Sequence, residues 1–510
     1  MKLTIIETSD VHSYISTDSF KVRGQKEQHS LSRVKTYLDK VRNENKNVIY
    51  IDNGDNIQGS PLASLYHRTN SIENLSKSYN LLKPDAMVLG NHDFNYGKDY
   101  LNSYISHLSC PVLSANTIQI DDKILDIKPY IIKEFSNIKV GILGLVTQYI
   151  PHWENPKNIE GLKFQSALET AKYYVPYLKQ KEACDIVIIS YHGGLGKDLE
   201  SGVNIYQETG ENEGYDLLYS GLDFDVLLTG HNHQEISGIY NDKVVLQPGY
   251  AASKLGEVIF EIDEDKKIKD TQVNLVNLGD FNPSQELEDM ILEDMSKTQD
   301  FLDATCGKLL TNAQIKSVLD AQLHGHPYIS LVNQIQMHYT QTDIGSACIF
   351  LPDAKGLYGK VSMRDIISNY MFNNTLMKVE VSGKEFKQIL EFNSHYFDID
   401  CNGNIVINPE YFLYNYDIYS GVDYSFDISK PRGQRLVSAI YKNHEITDDE
   451  KITFATNSYR AIGGGDFPVL DGSQIIWESS QDIPQLIFDY IEEKKIVEIN
   501  DYPSVNVIGY

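Results

Sequence analysis

Through the first half of the chain, short apolar runs recur, each too brief for a helix and each ending in polar residues. They are Leu3-Thr4-Ile5-Ile6, Val48-Ile49-Tyr50-Ile51, Ala86-Met87-Val88-Leu89, Val140-Gly141-Ile142-Leu143, Ile186-Val187-Ile188-Ile189 and Val226-Leu227-Leu228. Runs apolar on both faces predict strands buried inside a layered α/β domain. Residues 32–42 and 167–181 read as amphipathic helices between them. Around 257–276 the pattern turns to alternation and charge, which predicts edge strands closing a first domain. Asn282-Pro283-Ser284, followed by Glu286 and Glu288, then reads as a helix start. The expected organisation is a first domain at 1–278, a polar linker helix at 279–305 and a second domain at 306–510. The second is rich in tyrosine and carries turn signals at Asn402-Gly403 and Gly463-Gly464-Gly465.

Composition narrows the picture in three ways. A chain of 510 residues exceeds the size at which one core stops growing, which agrees with two domains. Lys+Arg number 45 against 71 Asp+Glu, a net charge of -26, and this argues against long nucleic acid as a partner. A small nucleotide remains compatible, because its phosphate can be held by metal ions. Five dispersed cysteines with no CxxC pair predict free or buried thiols in a reducing compartment. The N-terminus lacks a basic segment followed by an apolar stretch, and no apolar run approaches the ~20 residues of a membrane helix. A cytoplasmic protein with no membrane partner is the expectation; oligomeric state is not legible.

Five of the strand-like runs end in chemistry. The first reaches Asp10-Val11-His12, the second Asp52-Asn53-Gly54-Asp55-Asn56, and the third Gly90-Asn91-His92-Asp93. Two later runs reach Ser190-Tyr191-His192-Gly193-Gly194 and Gly230-His231-Asn232-His233. Ligands of open α/β sheets gather at the carboxyl ends of strands, so these clusters are expected to converge at one rim. Carboxylate, imidazole and amide oxygen without thiolate suit a pair of divalent cations: Mn²⁺, Zn²⁺ or Fe²⁺. Asp10 and His12 are spaced to face one ion, and Asp55 has two oxygens with which to bridge two. A lone DxH or GD is common by chance, GNHD is rarer, and GHxH after an apolar run is rarer again; all five in this order, each following an apolar run, are not expected by accident.

The set resembles the calcineurin-like metallophosphoesterases. With the second domain included, it resembles the 5'-nucleotidase and 2',3'-cyclic nucleotide 2'-phosphodiesterase/3'-nucleotidase family over nearly the whole chain. That resemblance implies an N-terminal four-layer αββα metallophosphoesterase sandwich plus a C-terminal α/β nucleotidase domain that binds the nucleoside, with closure of the two domains on substrate. It implies one ion held by Asp10, His12, Asp55 and His233, and another by Asp55, Asn91, His192 and His231. The family's catalytic histidine falls on His92, with Asp93 beside it as a supporting or helix-start residue. Two such ions clamp a phosphate, supply a nucleophile near neutral pH and stabilise developing charge. His92 would stabilise the transition state or protonate the leaving oxygen.

Substrate position also rests on resemblance. An aspartate that orients the catalytic histidine in 5'-nucleotidases is Asn95 here, which is similar to the cyclic-phosphodiesterase/3'-nucleotidase branch. An Asn-Gly-Gly-Ile-Arg segment of the 5'-branch is missing from the corresponding residues 350–356. Tyr414-Asn415-Tyr416-Asp417, Gly421-Val422 and Asn457-Ser458-Tyr459-Arg460-Ala461 resemble the 3'-branch. By that resemblance Tyr416 and Tyr459, or Phe467 in place of the second, would sandwich the base, and Asn374 would touch substrate or form a turn. His324-Gly325-His326 has no carboxylate cluster nearby and reads as a loop. The expected activity is hydrolysis of 2',3'-cyclic nucleotides and 3'-nucleotides. The rivals are a 5'-nucleotidase that also cleaves nucleotide sugars, a phosphomonoesterase whose second domain binds no base, and a nucleotide-binding sensor without turnover.

Overall fold

The computed structural model describes the chain except residues 121–124, 206–207, 371, 373, 500–504 and 510. It divides into two compact units, Met1–Gln299 and Asp300–Tyr510.

All six apolar runs of the first unit are strands. Two sheets carry them. One has seven strands, with Lys2–Thr8, Val48–Asp52 and Ala86–Val88 parallel at its centre. The other has six, with Ile138–Val146, Ile186–His192 and Val226–Thr229 parallel at its centre. Leu3, Ile5, Ile49, Ile51 and Val88 from the first sheet meet Val140, Ile142, Ile188, Val226 and Leu228 from the second in one closed core. Removing such a side chain to alanine costs about 2–5 kcal/mol, so the sheets are held face to face.

Helices cover both outer faces, which completes the αββα sandwich. Leu31–Glu44 buries Leu31, Val34, Leu38 and Val41 at helical spacing, and its Tyr37 hydroxyl donates to Glu257 on the first sheet. Ala167–Gln180 buries Ala167, Ala171, Val175 and Leu178 against Leu143, Val187 and Ile189 of the second.

Two expectations shift. Of the alternating strands, only Ile268–Asn277 lies at an edge; Lys254–Ile262 pairs on both sides, with Lys2–Thr8 and Ile268–Asn277. Its alternation reflects the two environments of its faces rather than an open side. Most of the polar segment expected as a linker lies with the first unit. Helix Gln285–Met290 is anchored through Glu288, which accepts from Ser16 Oγ and Ser32 Oγ. The next helix, Leu292–Asp303, is anchored through Asp294, which accepts from the Tyr66 hydroxyl and Asn74.

The second unit is built on a five-stranded sheet, in the order Ile418–Ser420, Ile344–Ala347, Lys451–Asn457, Thr375–Ser382, Ile475–Asp482. Helices Pro327–Thr340, Gly383–Asn393 and Ile483–Lys494 pack with it. Asn402-Gly403 turns a hairpin between Phe397–Ile399 and Ile405–Ile407, with Gly403 left-handed at φ 85.

Candidate metal centre

The parallel strands place their carboxyl ends side by side. Thr8 pairs with Asp52, Asp52 with Met87, and Tyr191 with Thr229, so the five ligand-bearing loops leave one edge of the sandwich. Asn53 joins the two sheets there: its Oδ1 accepts from Ser190 Oγ at 2.7 Å and its Nδ2 donates to the Tyr191 carbonyl. The loops then turn sharply. Asp10, His12, Asp55, His231 and His233 all have left-handed backbone, with φ of 54, 51, 62, 71 and 55. This conformation is rare for residues with a Cβ and concentrates where function over-determines the backbone. Gly54 and Gly90 face each other so closely that a Cβ on Gly54 would meet the Gly90 backbone, and one on Gly90 would meet Asp55.

Hydrogen bonds settle which ring nitrogens point inward. His12 Nδ1 lies 2.8 Å from the Gln58 carbonyl, His192 Nδ1 2.5 Å from the Asn53 carbonyl, and His231 Nε2 2.7 Å from Glu211 Oε1. Carbonyl and carboxylate oxygens only accept, so each of these nitrogens carries the hydrogen. The opposite nitrogen of each ring faces other acceptors. His12 Nε2 sits 3.3 Å from His233 Nε2. His192 Nε2 sits 3.2 Å from both Asp55 Oδ2 and Asn91 Oδ1. His231 Nδ1 sits 2.8 Å from Asn91 Oδ1. Donor atoms that converge in this way could hold a cation, and a ligating histidine normally ties its second nitrogen as these do. Among the described residues two clusters satisfy metal-ligand spacing, Asp10 with His12 and His233, and Asp10 with Asp55 and His192.

Electrostatics agree. Burial alone would push the Asp10 and Asp55 carboxyls up. The neighbouring imidazoles, His192 foremost, outweigh burial and hold both below the usual carboxylate range. Burial lowers His12 to about 4, so its ring is neutral and able to ligate. His192 is also pressed down by burial, yet Asp55 and Asp10 hold it up at about 10, a measure of the negative potential at that point. The buried carboxyl of Asp52, behind the ligands, is raised by burial to about 7. The donors therefore fit divalent ions: His12 and His233 group with Asp10, and His192 groups with Asp10 and Asp55, so Asp10 is common to both clusters, while Asn91 Oδ1 lies beside His192 and His231.

His92 opens a short 3-10 turn, His92–Phe94, directly after Asn91. Its ring lies edge-on to His12, 5.5 Å between centroids, and its backbone N–H donates to Asp55 Oδ1. Asp93 is wholly buried and accepts from the backbone of Gly90, Asp55, Asn56 and Ile57. It joins two ligand loops and does not face the centre. Asn95 Oδ1 lies 2.7 Å from His92 Nδ1.

The residues expected to bind substrate in the second unit divide. Tyr416 is a correction: it is fully buried, stacked on Tyr396 and edge-on to Phe397, and presents no ring face to a ligand. Phe467 is likewise buried, with the Arg460 guanidinium 3.8 Å above its ring. Tyr459 is 38% exposed and lies edge-on to the half-buried Tyr414, beside the exposed Phe372 and Phe412. Asn374 is half-buried and its carbonyl accepts from the Ile483 N–H. Met371 and Asn373 of that segment lie outside the described residues. His324 ends helix Val318–His324 and His326 caps helix Pro327–Thr340 by accepting from Tyr328 N–H, so the HGH segment is the junction of two helices. Glu211 and Gln58 were not singled out in the sequence, since each lies in a polar stretch with no distinguishing local signal; Tyr414 lies in the quoted Tyr414-Asn415-Tyr416-Asp417 motif, where residue type alone does not choose between the two rings.

The fold and centre define a metallophosphoesterase joined to a second α/β unit. Comparison with known proteins agrees: the calcineurin-like phosphoesterase profile matches residues 3–235, and the 5'-nucleotidase C-terminal domain profile matches 296–472. A Staphylococcus aureus structure assigned as a 5'-nucleotidase, in complex with alpha-ketoglutarate, is 30% identical with TM-score 0.78, over 100% of both chains. The 2',3'-cyclic-nucleotide 2'-phosphodiesterase/3'-nucleotidase of Salmonella typhimurium is 28% identical, over 91% of this chain and 81% of its own. The trifunctional nucleotide phosphoesterase YfkN of Bacillus subtilis is 27% identical over 97% of this chain, which spans only 38% of that longer protein. This chain belongs to the two-domain 5'-nucleotidase family of calcineurin-like phosphoesterases and is a phosphoric ester hydrolase. Calcineurin-like phosphoesterases bind two divalent metals. Among the described residues no helix is long and apolar enough to cross a membrane, and all five cysteines are free.

Proposed function

We propose that the chain hydrolyses nucleotide phosphoesters at this centre and favours 2',3'-cyclic nucleotides and 3'-nucleotides. The observation that carries the reading is the His92–Asn95 pair beside the converging donors, an amide where the 5'-branch is expected to hold a carboxylate. Asp10, His12, Asp55 and His233 would hold one ion, and Asp55, Asn91, His192 and His231 the other. When bound, the pair of ions would clamp the phosphate and supply a nucleophile near neutral pH. Donors of carboxylate, imidazole and amide type support Mn²⁺, Zn²⁺ or Fe²⁺.

The protein's own groups do the rest. Gln58, Asn53 and Glu211 keep three imidazoles turned inward. His92 donates through Nδ1 to Asn95, so its Nε2 is the nitrogen that meets a phosphate or leaving oxygen. For the nucleobase, Tyr459 keeps its role and Tyr414 replaces the buried Tyr416. Such stacking is worth about 1–3 kcal/mol per base and tolerates any base. Free, dispersed thiols support a cytoplasmic setting.

The test is phosphate release from 2',3'-cyclic AMP, 3'-AMP and 5'-AMP, with Mn²⁺ and then with EDTA. Preference for the first two, abolished by EDTA and by His92→Ala, supports the reading. A second reading, a 5'-nucleotidase, is favoured by the assignment of the Staphylococcus aureus structure, and preference for 5'-AMP would select it. Release from none of the three overturns both.

A further inference from the structure

We propose that Glu154 acts through Asn95 to hold His92 with its Nδ1 protonated, and so positions Nε2 for the substrate oxygen. This rests on the reading of His92 just given. Glu154 follows the short helix Ile150–Trp153 and is buried, 5% exposed. Its Oε2 accepts from Asn95 Nδ2 at 2.6 Å. Its Oε1 accepts from the Asn155 N–H at 2.7 Å and from Asn158 Nδ2 at 2.8 Å. Asn158 Nδ2 also donates to the Asn95 carbonyl at 2.8 Å, which pins the backbone of the same loop.

The logic is one of donors and acceptors. An asparagine amide by itself can be turned over, exchanging oxygen for nitrogen at nearly the same positions. Turned over, Asn95 would set its oxygen against the Glu154 carboxylate and offer its NH₂ to His92. An ionised carboxylate only accepts, so Glu154 admits one orientation: NH₂ toward itself, oxygen toward His92. That oxygen in turn accepts only, so His92 Nδ1 must carry hydrogen, whether the ring is neutral or charged. A chain that begins at a buried carboxylate thus determines, two links away, the nitrogen that exchanges a hydrogen bond or proton with substrate. No ligand of the metal centre takes part in this chain. Glu154 touches neither His92 nor the reacting atoms in this account; it is a positioning residue.

The experiment is a double-mutant cycle at two positions, read with two leaving groups. Turnover is measured for the best nucleotide of the panel, whose leaving alkoxide needs a proton, and for p-nitrophenyl phosphate, whose leaving phenolate does not. E154Q is expected to lower kcat on the nucleotide by roughly 10- to 100-fold, and by about tenfold less on p-nitrophenyl phosphate. N95D alone sets two carboxylates against each other and is also expected to lose activity. In N95D/E154Q the glutamine NH₂ can donate to the new carboxylate, the chain closes again, and activity returns to within a few-fold of wild type. E154Q is therefore harmful beside asparagine and beneficial beside aspartate. If E154Q has the same effect in both backgrounds, or lowers both substrates equally, Glu154 only braces a loop and the inference is overturned. His92→Ala separates the two levels. Unchanged nucleotide turnover in His92→Ala would remove the reading of His92 itself. A large loss there, without the reversal at Glu154, would remove this inference alone.

Discussion

The candidate metal centre of the first unit and the aromatic cluster of the second treat their candidate residues in opposite ways. In the first unit seven candidate donors, drawn from five loops, lie together, and six of them are buried or half-buried. In the second, two of three candidate rings, Tyr416 and Phe467, turn into the core, and only Tyr459 faces outward. The difference is chemical. Burying aspartate or histidine without a partner costs several kcal/mol, so a cluster of them at strand ends has few explanations other than a cation. A tyrosine is as useful inside as outside, and 34 of them offer no means of choosing.

The sharpest way to break this comparison is at the centre. EDTA is expected to abolish phosphate release, and Asp55→Asn to lower kcat/KM by on the order of 10³-fold or more, with metal content falling in mass spectrometry. Full metal content in that variant would exclude Asp55 as the bridge. Next comes Tyr416→Ala, expected to cost about 3–5 kcal/mol of stability in denaturant unfolding. A stable Tyr416→Ala protein with a raised KM would return Tyr416 to the base site.

Glu211→Gln is expected to weaken metal binding by roughly 10- to 100-fold in calorimetry; unchanged affinity would mean that Glu211 does not orient His231. Tyr459→Ala should raise KM by the equivalent of about 1–3 kcal/mol while leaving thermal stability near wild type. An unchanged KM would take Tyr459 out of base recognition.

The smallest effect belongs to Glu213, two residues from Glu211 on the same loop. Its carboxyl accepts from Ser166 Oγ and the Ala167 N–H at a helix start, and burial raises its pKa. A carboxyl raised on folding stabilises below the ordinary carboxylate range, and that share is lost as pH rises through the raised value. Glu213→Gln is therefore expected to flatten slightly the fall of stability as pH rises above the ordinary carboxylate range, read by denaturant unfolding at several pH values, and to leave metal affinity unchanged.

Much of the first unit was legible beforehand. A buried strand is a local apolar run, and a candidate ligand is a residue type at the end of one; both are short-range facts. The place of the polar segment before residue 299 in the first unit was not legible for the same reason. Glu288 and Asp294 look like solvated helix charges, and only their contacts with Ser16, Ser32, Tyr66 and Asn74 bind that segment to the first unit.

By itself the sequence determined the layered α/β class, the acidic character and the donor-type residues at the ends of five strand-like runs, because each is written in residue type and spacing. The tertiary structure decided which way the groups face. His12 is oriented by a carbonyl 46 positions away, His192 by one 139 away, His231 by a carboxylate 20 away, and Asn95 by one 59 away. Ring tautomers, amide orientation and the burial of Tyr416 in place of Tyr414 depend on partners that meet only when the chain has folded.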